Sequence, residues 1–203
     1  MAIDWTRYTE VPVVRKLFIV PLAENDHGKS SVVRAMVQLA TGRPAPWKKA
    51  AHILATPTGA RLSALVFPSS YQEQEKRKGN SVSEALSGLA KSSGTSPWFT
   101  YDLIVYPSHD ERLDLIAMFE EGHGHGYDML AVSVTLDELF PPAHKDCLTL
   151  PWNARIMVRN FGLKRFKAEG AEDRNLILTP QARARIDMLA SQLWHSIDRV
   201  RLG

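Results

Sequence analysis

Cysteine is nearly absent. Cys147 is the single one in 203 residues, so no internal disulfide can form, and a reducing, cytoplasmic setting is expected. Long apolar runs are also missing, and none approaches the roughly 18 residues that cross a bilayer. The opening Met1-Ala2-Ile3-Asp4-Trp5 has neither the basic segment nor the apolar core of a secretion signal, so neither a signal peptide nor a membrane partner is expected. Charge of one sign is scarce too. The 25 Lys+Arg against 22 Asp+Glu leave +3, which permits a polyanionic partner without requiring one. There is no internal repeat and no low-complexity tract, and a hydrophobic content of 44% excludes general disorder. This length suits one α/β domain spanning residues 1–203, with residues 1–15 reading as an N-terminal extension.

The chain alternates strand-like and helix-like stretches. Residues 15–22 are nearly continuously apolar, as a buried parallel strand should be. After them, Val32, Val33, Met36, Val37, Leu39 and Ala40 recur at helical spacing. Residues 52–55 and 62–67 are short strand-like runs around Thr56-Pro57-Thr58-Gly59, a hairpin signal. Strands are predicted at 101–106, 128–134 and 154–158, with a helix over 110–121. Thr179-Pro180 is an N-cap followed by proline at the first helical position. It opens a C-terminal helix carrying Ile186, Leu189, Leu193, Ile197 and Val200 on one face. This rhythm predicts an α/β fold: a mainly parallel sheet, helices on both faces, and the first strand at its centre.

Directly after that first strand stands Ala23-Glu24-Asn25-Asp26-His27-Gly28-Lys29-Ser30, the pattern [Ala/Gly]-x4-Gly-Lys-[Ser/Thr] of the phosphate-binding P-loop. Backbone N–H groups from Ala23 to Ser31 would form a nest for anionic oxygens, and the helix that follows adds its positive end. Gly28 lets the backbone approach the phosphates without a Cβ in the way. His27 would order the loop backbone. Lys29 would reach the β- and γ-phosphates from a solvent-facing position, and the Ser30 hydroxyl would hold Mg²⁺. The expected ligand is a nucleoside triphosphate with Mg²⁺.

Other residue groups could complete such a site. Asp110, in Ser108-His109-Asp110-Glu111, could act on the metal or as the base that takes a proton from an acceptor hydroxyl. Alternatively, Ser108 caps a helix and both acids sit in its first turn. Glu73, Lys76, Arg77 and Lys78 could be a lid over transferring phosphate, a patch for a nucleic-acid backbone, or a solvated face. Asn160, just past the last strand, could contact a base and Arg159 a phosphate or base, or this region is simply an Arg-rich surface. Arg155, Lys164, Arg165 and Lys167 make that region basic. Gly122-His123-Gly124-His125-Gly126 reads as a helix-to-strand turn, and His144 and Cys147 show no zinc spacing.

The string Asp26-His27-Gly28-Lys29-Ser30 resembles the P-loop of translational GTPases, and Ala23-x4-Gly28-Lys29-Ser30 in its strand–loop–helix setting resembles that of the P-loop NTPase superfamily. The Asp-x-x-Gly and Asn-Lys-x-Asp motifs of GTPases are absent, so ATP is the expected nucleotide. Within the superfamily, the size and the polar segment 69–78 look like those of P-loop kinases. That likeness implies transfer of a γ-phosphoryl group to a hydroxyl of a nucleotide or of a modified DNA base, as in phage-type hydroxymethyluracil kinases. A weaker resemblance links Tyr101 to Val105, Tyr127 to Val132 and Arg155 to Asn160 with the last core strands of partition and septum-positioning ATPases. It implies a switch whose nucleotide state controls dimerisation or DNA binding. The oligomeric state is not legible.

Overall fold

Every residue of Leu17–Leu22 (β1) is buried. A strand apolar at all positions must have protein on both faces, and β1 does. The computed structural model describes residues 15–23, 28–46, 48–88, 97–135, 142–159 and 180–202. The described strands form one six-stranded sheet in the order β2-β3-β4-β1-β5-β6. Here β2 is Ala50–Ala55, β3 Arg61–Val66, β4 Leu103–Val105, β5 Asp128–Thr135 and β6 Ala154–Arg159. All pairings are parallel except β2 with β3. That hairpin turns through Gly59, at φ 87.

Alternation along the strands sends successive side chains to opposite faces. Leu17 and Ile19 join a cluster with Val32, Val33, Met36 and Val37 of α1 (Lys29–Thr41) and Leu189, Leu193, Trp194 and Ile197 of α6 (Pro180–Leu202). Phe18, Val20 and Leu22 face the other cluster. There they meet α2 (Tyr71–Gln74), α3 (Val82–Ser87), α4 (Arg112–Gly124) and α5 (Pro142–Leu148). The expected α/β architecture, the central β1 and the helices on both faces are all present. No described helix is long and apolar enough to cross a membrane.

Three boundaries differ from expectation. β4 is only Leu103–Val105; just before it, the Asp102 carboxylate accepts from the backbone N–H and hydroxyl of Ser63, at 2.8 and 2.6 Å. α4 starts at Arg112, with Glu111 as an extended N-cap residue, so Asp110 precedes the helix and is not in its first turn. The Gly-His run is partly helical: Gly122 to Gly124 close α4, and the turn itself falls at His125 and Gly126. α5 has no counterpart among the expected elements. Residues 1–14 and Thr179 lie outside the described residues.

The C-terminal helix is fastened to the β2–β3 turn. Asp198 accepts hydrogen bonds from the Thr58 backbone N–H (3.0 Å) and hydroxyl (2.8 Å) and pairs with Arg201 at 3.1 Å. Trp194 adds an indole N–H bond to the Ala55 carbonyl at 2.9 Å. Burial alone would raise the Asp198 pKa, but the Thr58 hydrogen bonds and Arg201 outweigh it and hold the carboxyl below its usual range. Its stabilising contribution is complete above the unfolded value of about 3.9 and is lost as pH falls through the lower folded value. Asp198→Ala leaves Arg201 buried and unpaired, so we expect a loss of about 3–5 kcal/mol. Urea unfolding at pH 7 checks the size, and a series down to pH 2 should show the gap between variant and parent closing.

Candidate functional site

The sheet order reverses at β1. From β1 the chain crosses by α1 to the β2 side, whereas from β4 it crosses by α4, on the other face, to β5 beyond β1. In open α/β sheets, ligands bind at the carboxyl ends of the strands where the connections diverge in this way. The motif lies at that place. Gly28 caps α1 with φ 86 and ψ 10, a left-handed conformation that a Cβ would strain. Lys29 and Ser30 form the first turn of α1.

Lys29 is not solvent-facing, contrary to expectation. It is 4% exposed, and its Nζ donates to the Ala23 carbonyl at 2.6 Å. A buried ammonium must find oxygen partners, and this one reaches back across the loop to its first residue. Glu24, Asn25, Asp26 and His27 of the loop lie outside the described residues, as does Asn160. Arg159 ends β6, in register with Thr135, and its side chain is likewise outside. Arg155 is occupied elsewhere, donating to the Leu148 and Leu150 carbonyls.

Beside the loop, the segment after β4 extends the sheet edge. Ser108 N–H donates to the Pro21 carbonyl at 2.9 Å, bridging to Leu22. Tyr106 and Pro107, at the position where many P-loop ATPases carry an acid, are buried, and the Tyr106 ring stacks on Phe67 at 3.8 Å. Three residues further on stands Asp110, its side chain 6% exposed and its Oδ1 2.8 Å from His144 Nδ1. The other oxygen, Oδ2, is buried with no hydrogen-bond partner.

The segment after β3 brings a carboxylate to the site. Glu73 lies 3.4 Å from His109 Nε2 and accepts from the Ser70 backbone N–H at 3.3 Å. Its pKa is held below the usual range, most of all by His109, against partial burial, with the Lys29 ammonium contributing. Gln72 clamps the two segments together. Its amide donates to Ser108 Oγ (3.0 Å) and Asp114 (2.7 Å), and its carbonyl accepts from His109 N–H.

The three basic residues of the same segment part company. They form a 3₁₀ turn, Lys76–Lys78. Lys76 is bound to Glu111 at 2.6 Å and Asp114 at 3.0 Å, and the Glu111 and then the Asp114 hydrogen bonds push its pKa up to about 12. Lys78 pairs with Glu75, and Arg77 is exposed. Thus Glu73 feels the charge of Lys29, while Lys76 is committed to α4.

No group of three or more His, Cys, Asp or Glu among the described residues could hold a metal by itself. The uncommitted Asp110 Oδ2 and the Ser30 hydroxyl suit Mg²⁺ that arrives on phosphate oxygens, because such Mg²⁺ needs only one or two protein ligands. Cys147 is no competitor for it. Burial, then the Asp110 and Asp146 charges, push its thiol up to about 11, so it stays protonated.

Sequence reasoning gave no individual role to Glu73 or His109 and did not foresee Gln72, Ser133 or His144. The one local signal was His109 standing next to Asp110. Compared with family models, with curated proteins and with solved structures, the chain finds no match in any of the three.

The Tyr106 hydroxyl is buried without a partner, and burial raises its pKa first, with Glu75 and Tyr71 adding. An unpaired buried hydroxyl costs about 1–3 kcal/mol. Tyr106→Phe should therefore be neutral or stabilising by about 1 kcal/mol. A lower urea midpoint for that variant would contradict this account of the position.

Proposed function

We propose that this chain is a P-loop NTPase that binds ATP with Mg²⁺ at the carboxyl end of β1 and transfers the γ-phosphoryl group to a hydroxyl. The acceptor class we favour is a nucleotide or a modified base in DNA. The observation that carries the reading is Lys29, folded over the loop onto Ala23, directly after a left-handed Gly28 and on the central strand. The carbonyl contact holds the ammonium where a phosphate oxygen can replace Ala23 as its partner.

Each residue has a role in this reading. Backbone N–H groups of the loop and the start of α1 receive the phosphates. Lys29 neutralises charge that develops on the transferring group. Ser30 and Asp110 would hold Mg²⁺, which supplies further neutralisation of the phosphates. Glu73, kept ionised by its surroundings, would accept the proton of an acceptor hydroxyl. Arg77, exposed on the same turn, remains available to a polyanionic substrate. A carboxylate base in Glu73 favours transfer to a hydroxyl over the partition-type switch, which needs no base for an acceptor.

Lys29→Ala should weaken ATP binding or turnover by about 100-fold or more, the scale of losing about 2.7 kcal/mol of charge stabilisation. Unchanged turnover would sink the P-loop reading. Incubation with labelled ATP and candidate acceptors separates the two readings. A kinase hands label to the acceptor, whereas a switch releases it slowly to water and changes oligomeric state with nucleotide.

Replacing Lys76, Arg77 and Lys78 together by Ala tests the segment. Each exposed position should change stability by about 0.5 kcal/mol or less, with Lys76 at about 1 for its lost ion pairs. A larger fall in single-turnover transfer marks a lid. Weaker DNA binding with a shallower salt slope marks a backbone contact. No change in either marks a solvated face.

A further inference from the structure

We infer that His144 is the positioning residue for Asp110, held in turn by Ser133, so that the three side chains fix one carboxylate oxygen for the metal-bearing end of the triphosphate. The inference rests on the P-loop reading.

Asp110 Oδ1 meets His144 Nδ1 at 2.8 Å, and His144 Nε2 meets Ser133 Oγ at 2.7 Å. Facing a carboxylate, Nδ1 carries the hydrogen and donates it. In the neutral ring Nε2 is then the acceptor, and the Ser133 hydroxyl donates to it. The chain of bonds runs from serine to histidine to aspartate, the connectivity of hydrolase triads.

Here, however, the uncommitted end is reversed. Ser133 is 2% exposed and His144 1%. Ser133 also lies within β5, in register with Leu22 of β1 and Met157 of β6, so no acyl group can reach its oxygen. The uncommitted end is Asp110 Oδ2, buried and without a partner.

A carboxylate with both oxygens free would rotate and present either. With Oδ1 bound to a ring that is itself bound to the sheet, rotation stops. Oδ2 is left as the one uncommitted oxygen of this carboxylate. A partnerless buried carboxylate oxygen is costly, and a cation or a metal-bound water removes that cost. Orienting groups of this kind commonly govern metal affinity nearly as much as the ligand does.

Two substitutions split the histidine's contacts. His144→Asn keeps a donor near the Nδ1 position and gives up Ser133. His144→Gln reaches the Nε2 position and gives up Asp110. ATP affinity is measured by calorimetry with Mg²⁺ and in EDTA, alongside the thermal midpoint of each protein. We expect metal-free affinity within about twofold of the parent in both, while the Mg²⁺-dependent gain falls about tenfold or more in His144→Gln and about threefold at most in His144→Asn. Their midpoints should fall alike, since each loses one buried bond.

Equal Mg²⁺ gains in the two variants, or losses that track the midpoint, would overturn the role of His144 and leave the P-loop reading standing. A parent protein that binds no ATP with or without Mg²⁺ would overturn both. Should both substitutions fail to fold, Ser133→Ala decides. It loosens the ring, so the Mg²⁺ gain should drop about threefold at constant metal-free affinity, and an undiminished gain overturns the inference.

Discussion

The burial of β1 on both faces is the constraint on which the rest of the molecule depends. A strand with no polar position cannot lie at an edge or face water. Placing it between β4 and β5 forces the chain to leave it in one direction and pass over it in the other. The two crossings use opposite faces, and the crevice they leave is where the Gly-Lys-Ser turn emerges. The position of the site is thus a consequence of hydrophobic burial, before any polar residue is considered.

The polar residues then sort by the strand end that carries them. The β3 end brings Glu73 and Gln72, the β4 end brings His109 and Asp110, and β5 brings Ser133. Gln72 ties the first two segments together, and His144 ties the second to the third. These bonds are buried or nearly so, which makes each stronger than it would be in water and makes each missing partner expensive. The site is therefore positioned by its neighbours rather than by long surface side chains, and Lys76, a surface lysine, is spent on holding α4.

The parts legible in the sequence were those written in a local period or a contiguous string. β1 is a run of apolar residues, α6 repeats its apolar positions at helical spacing, and the β2–β3 turn has its Pro-Thr-Gly signal. The P-loop is eight consecutive residues. What stayed hidden depends on distance. Ser133, His144 and Asp110 are ordinary residues in sequence and become a unit only when α5 docks across the ends of β4 and β5. α5 itself has seven residues, too few turns to show a period. Lys29 was misplaced because a lysine is hydrophilic by composition, whereas its burial is decided by a carbonyl six positions earlier.

The fastening of α6 has a consequence for the order in which the chain can be completed. The apolar face of α1 is covered by Leu189, Leu193, Trp194 and Ile197, residues synthesised long after α1 itself. During translation, α1 would therefore wait with its inner face only half covered. The opposite side of the sheet, built from α2 to α5, can close first. The layer that carries the Gly-Lys-Ser turn is thus completed by the last-made helix, and a nascent chain would hold the other layer nearly whole while this one still exposes apolar surface for a chaperone to cover.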